Sequence, residues 1–271
     1  MAVPYGSGAG GFLSPRGVDF AVIGEAFEIV KRDWLQWSLL GFIGFLPIMA
    51  VNVLGQVLAI PLTVASSNGG DTAAVGAALA TIPISLLTTV LQYGVYGVIY
   101  GGFALMTAKA IRGETVDLSE GLKAFSAFGP LFLVGLLQGL AIAVGLLACC
   151  FGAIFAFGLV AAAPSILVLE RLSPVDAVKK SIELAKPFWL MAGLFAFVIQ
   201  ILSGLGVILC CIGICFTIAL AGCCFTLMYR DVGGSGLTPT FGGGGGATNY
   251  PRDGGGYMPG YGGPVDPPAG S

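Results

Sequence analysis

Histidine is absent from this chain. With it goes the side chain most often used for acid–base catalysis near neutral pH and for holding a metal ion. Charge is scarce too: Asp, Glu, Lys and Arg make up 10% of the residues, against about a quarter in an ordinary soluble domain. Residues 34–65, 130–169 and 187–229 hold no charge at all. The cysteines exclude a further class. All seven (Cys149, Cys150, Cys210, Cys211, Cys215, Cys223, Cys224) sit in apolar runs, and none forms a CxxC pair, so no zinc or iron–sulfur site, and no other cofactor, is expected. Their default role is as small packing residues; the alternative is a bridge between two hairpins through the four at the turns. The glycine run at 242–246 is no phosphate loop, because no Lys-Ser/Thr follows and no strand precedes it.

What remains is apolar. Hydrophobic residues reach 56% and mean hydropathy is +0.93, the composition of a protein that crosses a membrane several times. The net charge of −2 hides a very uneven distribution, so it argues for neither an acidic nor a basic partner, and no nucleic acid is expected.

Residues 1–17 read as a flexible tail. The first apolar run starts only at Trp34, behind Glu25, Glu28 and Asp33, which is not the layout of a secretory signal. Phe20, Ile23, Phe27, Val30 and Trp34 recur at steps of three and four, with Glu25, Glu28, Lys31 and Arg32 opposite. This predicts an amphipathic interfacial helix with Asp19 as N-cap and a Glu28–Arg32 pair. Residues 34–65 exceed the roughly 20 that cross a hydrocarbon core of about 30 Å, so the first span lies there, with a break or tilt at Pro47 or Pro61. Residues 66–71 are expected to form a loop. A second span is placed at 84–108, bounded by Pro83, with 73–82 as an interfacial lead-in. Gly97 and Gly101 make a close-packing step.

A second amphipathic segment is expected at 117–128, where Asp117-Leu118-Ser119-Glu120 has capping-box spacing. The 40 uncharged residues 130–169 would make a helix of roughly 60 Å, so they must fold as a hairpin turning near residues 149–152, with Gly135 and Gly139 as another packing face. A third amphipathic helix begins at Ser173-Pro174-Val175-Asp176, with Ser as cap and Pro in the first turn. A third hairpin follows at 187–229, turning near residues 210–213. A shift of 61 positions superposes Gly145, Cys149, Cys150, Gly152, Phe155 and Glu170 on Gly206, Cys210, Cys211, Gly213, Phe216 and Asp231. The expected fold is therefore all-α: a polytopic bundle of three repeats, each an amphipathic interfacial helix plus a transmembrane hairpin, six spans in all. Its domain covers 18–231, followed by a disordered Gly/Pro/Tyr-rich tail at 232–271.

All twelve basic residues fall in the terminal regions or in the two connectors between units, none in a hairpin turn. The positive-inside rule then makes both termini cytoplasmic. No ionisable residue is placed at mid-membrane, which disfavours a proton-coupled carrier. The polar residues of the spans are Asn52, Gln56, Gln92, Gln138 and Gln200, with Tyr93, Tyr96 and Tyr100 beside Gln92. They are candidates for a weakly polar path or a lipid contact, or else for interhelical hydrogen bonds. Lys31, Arg32, Lys123, Lys179 and Lys180 are candidates for contact with anionic headgroups.

Pro164, Leu167-Val168-Leu169-Glu170, Ser173, Ala177, Ser181, Leu184 and Trp189 resemble the signature of the membrane domain of some bacterial glycerophosphoryl diester phosphodiesterases and of related stand-alone six-span proteins. The resemblance implies a bacterial inner-membrane helical domain. It does not carry the phosphodiesterase activity, whose soluble barrel and histidines have no counterpart here. The expectation is a non-enzymatic, lipid-interacting scaffold or regulatory component, with membrane lipid as partner and the C-terminal tail able to recruit a protein. The alternative is a facilitative transporter or channel for a small or amphipathic solute along the five amides.

Overall fold

The computed structural model describes residues 17–234 except 69, 149 and 209. Every regular element among them is helical, and six helical stretches are long and apolar enough to cross a membrane: Trp34–Val64, Val75–Ile111, Leu118–Leu147, Gly152–Glu170, Pro174–Gly204 and Gly213–Asp231. This is a multi-pass membrane protein. Both terminal tails, with Tyr250, Tyr257, Tyr261 and the glycine run, lie outside the described residues.

Helix α1 (Ala21–Arg32) opens where expected, since Asp19 Oδ1 accepts the Ala21 amide at 2.9 Å. The face it buries is rotated from the expected stripe. Val22, Ala26, Ile29 and Val30 pack inward while Phe27 is exposed. The inward side chains are the smaller ones, and the aromatic ones reach across the groove instead: Phe20 meets Phe195 at 5.8 Å and Phe27 meets Phe216 at 5.9 Å. Arg32 does not pair with Glu28; its guanidinium bonds Asp33 and the Glu114 carbonyl.

Helices α2 (Trp34–Asn68) and α3 (Gly70–Ile111) form the first hairpin, and both run on through their prolines. Pro47, Pro61 and Pro83 do not end them. In hydrocarbon no water takes up a freed carbonyl, so backbone that leaves the helix is penalised more than a proline inside it. At 35 and 42 residues these helices are about 52 and 63 Å long, well over the 30 Å of a hydrocarbon core. Their outer surfaces carry exposed Leu46, Val53, Val57, Ile60, Leu79 and Leu87.

Helix α4 (Leu118–Leu122) is one short turn continued by a 3-10 stretch, Lys123–Ala127, into α5 (Phe128–Ala148). The capping box does not form. Asp117 Oδ2 accepts from the Ser119 hydroxyl, the Leu118 amide donates to Gln36 Oε1, and Glu120 turns to Lys123 at 2.8 Å. In this exposed connector the Arg112 guanidinium holds the Glu114 carboxyl below its ordinary range, and the Ser119 hydroxyl does the same for Asp117.

The fourth apolar stretch is broken. Helix α6 (Cys150–Val160) gives way at Ala161 and Ala162 to α7 (Ala163–Glu170). Pro164 has no amide to return to the Val160 carbonyl four residues back, and Gln138 Nε2 of α5 donates to that carbonyl instead. The Leu159 carbonyl, next in the break, accepts from the Ser181 hydroxyl at 2.8 Å. Ser181 lies on α8 (Pro174–Ala185), where Ser173 caps the Asp176 amide as its sequence predicts. Helix α8 buries the small residues Ala177, Ser181 and Ala185 and leaves Val175 and Ile182 outside. A short 3-10 turn leads to α9 (Trp189–Ile208), and α10 (Cys210–Asp231) is the last described helix.

Arg171, the residue that ends α7, sits at φ +55°, a region that penalises any side chain with a Cβ. Arg171→Gly is expected to raise stability by about 1 kcal/mol, read as a higher melting temperature in detergent; an unchanged or lowered value would contradict it.

Candidate functional site

The two packing faces read from the glycines meet each other. A Cβ on Gly97 would come within 2.4 Å of the Leu131 carbonyl oxygen and 2.9 Å of Gly135 Cα, and one on Gly139 would lie 2.9 Å from Val90 Cα. This contact holds α3 against α5 and turns another face of α3 inward, the one bearing Gln92, Tyr93, Tyr96 and Tyr100. These four follow at steps of one, three and four, so they share one side of the helix.

Opposite them stand Phe157 of α6, Gln200 and Ser203 of α9, and Ile218 of α10, and together the eight residues line a cavity of about 210 Å3. Its α3 wall is aromatic. Tyr96 and Tyr100 are stacked at 5.6 Å and 19°, Tyr93 lies 5.9 Å from Tyr96 and 6.0 Å from Phe157, and Phe225 backs Tyr100 and Phe157 from behind. Its α9 wall is polar. No lining residue carries a formal charge.

The depth follows from helix rise. Tyr100 and Gln92 lie nine and seventeen residues before Lys109, or roughly 13 and 25 Å along the axis, and Gln200 lies roughly 16 Å beyond Trp189. The cavity is therefore at membrane height. Gln200 is exposed, Gln92, Tyr93, Tyr96, Tyr100 and Ser203 are half-buried, and Phe157 and Ile218 are buried, so the opening lies between α3 and α9, with Gln200 at its rim and at membrane height. Among the described residues the hydroxyls of Tyr93, Tyr100 and Ser203 and the amide of Gln200 have no hydrogen-bond partner. In a bilayer a polar group without a partner is costly, so these groups call for something in the cavity to bond to.

Of the five candidate amides, then, Gln92 and Gln200 come together. Gln138 is buried and seals the break before Pro164. Gln138→Leu is expected to destabilise by about 1–3 kcal/mol, the cost of leaving that carbonyl unbonded, without closing the cavity; a melting curve that does not move would refute this role. Asn52 and Gln56 face outward on α2, where Asn52 donates to its own Ile48 carbonyl at 3.0 Å. Sequence reasoning placed the tyrosines beside Gln92 but missed Phe157, Ser203 and Ile218; the spacing of Tyr93, Tyr96 and Tyr100 was the usable signal.

At the charged end, two polar clusters tie the connectors to α10. Arg230 forms a fork on Glu25 of α1, at 2.6 and 2.8 Å, and bonds Asp231 at 2.9 Å. Glu170 receives both the Lys180 ammonium and the buried Tyr229 hydroxyl. Among the five candidate headgroup residues, Arg32, Lys123 and Lys180 are thus engaged within the protein, while Lys31 and Lys179 are exposed and form no ion pair with the described residues. Cys223 and Cys224 are buried thiols on α10, and Cys215 is buried as well. Cys149 and the side chains of Cys150, Cys210 and Cys211 lie outside the described residues, so a bridge between the turns is not addressed.

No family model, curated protein or solved structure matches the chain.

Proposed function

We propose that the protein is a lipid-interacting scaffold or regulatory component of a bacterial cytoplasmic membrane that works by holding an uncharged amphipathic ligand, not by transforming it. The observation that carries this reading is the cavity: hydrogen-bonding groups without partners, an aromatic wall, no charge, and an opening at membrane height. Its lining offers phenols, amides and a hydroxyl, which bind and orient, and no carboxylate, amine or imidazole to move protons.

Both termini are proposed to be cytoplasmic, with α1 and α8 in the interface and their exposed Phe27, Val175 and Ile182 toward acyl chains. Two sets of contacts support the repeat of helix plus hairpin. Gly145 packs on Gly152 as Gly206 packs on Gly213, and Ser165 meets Thr226 at 3.0 Å; each pairing involves positions 61 apart. The motif residues from Pro164 to Trp189 act in this view as the joint that seats α8 against the broken span, and recruitment of a protein is assigned to the C-terminal tail.

The transport alternative would need a continuous polar route. It draws support from Gln92 and Gln200, but Gln138, Asn52 and Gln56 stand away from the cavity. Native mass spectrometry of protein taken from its own membrane in mild detergent tests the binding reading. One uncharged lipid retained by wild type and lost from Tyr100→Phe/Gln200→Leu is expected. Protein that emerges empty, or with only the bulk phospholipid mixture, would refute it.

A further inference from the structure

The cavity selects its ligand by three independent features. Entry between α3 and α9 at membrane height admits only what is dissolved in hydrocarbon. The uncharged lining would leave a phosphate or carboxylate unpaired, which excludes phospholipid headgroups and ionised fatty acids. The third feature is shape: Tyr96 and Tyr100, stacked on each other, are continued by Tyr93 and Phe157 as an aromatic wall on one side, and Gln200 and Ser203 supply donors on the other.

Size narrows the choice further. An engineered apolar cavity of about 150 Å3 accepts a benzene ring; about 210 Å3 accommodates one substituted ring with its ring oxygens. Rings offset or tilted against aromatic walls gain from the quadrupole of each face. Phenol and primary amide groups are donors, and two of the phenols and one amide are otherwise unbonded. The complementary ligand is therefore planar, uncharged, lipid-soluble, and edged with carbonyl acceptors on opposite sides.

We propose that the cavity binds the ring of an isoprenoid quinone, one carbonyl accepting from the α3 phenols and the other from Gln200, with the tail leaving past α9 into the bilayer. Tyr93, Tyr96 and Phe157 pack against the ring. Ser203, at the mouth, lies where the chain begins. The assignment rests on the cavity being a ligand site and adds the ligand's class.

The test uses the full chain in nanodiscs of synthetic phospholipid doped with increasing mole fractions of decylubiquinone or a short-chain menaquinone, with protein-free nanodiscs as blank. Bound quinone is measured by solvent extraction and by the absorbance change on borohydride reduction. Saturation near one quinone per protein above the blank is expected, together with a melting temperature that rises as quinone is added. Gln200→Leu and Tyr100→Phe should each weaken binding about tenfold, the factor for a lost hydrogen bond of about 1.4 kcal/mol, with quinone-free melting not lowered. Ser203→Phe, which fills the mouth, should abolish it. Should a variant fail to fold, the wild-type saturation curve decides alone. Quinone that never exceeds the blank overturns the assignment. In that case, retention of another uncharged lipid in native mass spectrometry leaves the ligand-site reading standing, and empty protein removes both.

Discussion

Gly135→Val is expected to abolish the folded state or lower its melting temperature by on the order of 10 °C, because the added carbon has nowhere to go. A Cβ at position 135 would lie 2.1 Å from the Tyr93 carbonyl oxygen and 2.7 Å from Gly94 Cα. Both are backbone atoms of a continuous helix, so no side-chain rotation relieves the overlap. Helices α3 and α5 would have to separate by more than 1 Å to reach ordinary contact at about 3.5 Å. Overpacking of a tight core costs about 1–3 kcal/mol, occasionally more; backbone against backbone belongs at the upper end. At roughly 2–4 °C per kcal/mol for a chain of this size, the shift is readily measured by fluorescence-detected size exclusion after heating. Gly129→Ala is the control. Nothing lies within 4 Å of its Cβ position, so it should be neutral or slightly stabilising through helix propensity. Equal behaviour of the two variants would show that the α3–α5 approach is not what holds the bundle.

The second large effect is expected at Glu170. Its side chain is 11% exposed and joins three elements, accepting from Lys180 of α8 and from Tyr229 near the end of α10. Glu170→Leu leaves an ammonium without its carboxylate and weakens the hold on a buried phenol. Removing one partner of a largely buried pair costs about 3–5 kcal/mol; Lys180 is 35% exposed, which puts the expectation at the lower end, about 3 kcal/mol. Glu170→Gln should cost less, since one carbonyl oxygen still accepts. A double-mutant cycle with Lys180→Met isolates the pair, and a coupling of about 1 kcal/mol or more is expected. Thermal melts of the four proteins decide it: additive losses would mean that α8 is seated by the Ser181–Leu159 bond and by Ala177 and Ala185 alone.

The cavity and the α3–α5 contact are linked. Tyr93 supplies the carbonyl that Gly135 packs on and the phenol that lines the cavity. A variant that pushes α5 away from α3 is therefore expected to lose ligand as well as stability, whereas Gln200→Leu should lose ligand alone.

Local pattern made several features legible. Uncharged runs at 34–65, 72–108, 130–169 and 187–229 leave a membrane as their only environment, so six apolar helices follow from length and composition: one from each of the first two runs and a hairpin from each of the others. Ser173 caps the helix it precedes because capping depends on the next three residues and nothing more. Pairs of glycines four apart marked surfaces able to approach a neighbour. Which neighbour they approach is a different kind of question. That Gly97 meets Gly135, or that Gln138 reaches the carbonyl freed by Pro164, depends on how two helices distant in sequence are rotated about their axes, and no local spacing contains that angle.

The prolines illustrate the division. Pro47, Pro61, Pro83 and Pro164 all remove an amide from a helix in an apolar run, and in sequence they look alike. At Pro164 the chain breaks, and Gln138 and Ser181, 22 residues away from the carbonyls they bond, satisfy what the break exposes; at the other three the helix continues. The sequence by itself determined that the chain enters the membrane, how many apolar helices it has and where its charges gather, because hydrophobicity, length and capping act within a few residues. Only the tertiary structure decided which of five similar amides line a cavity and which seal a backbone gap, because those roles are assigned by the partners that helix packing brings within hydrogen-bonding distance.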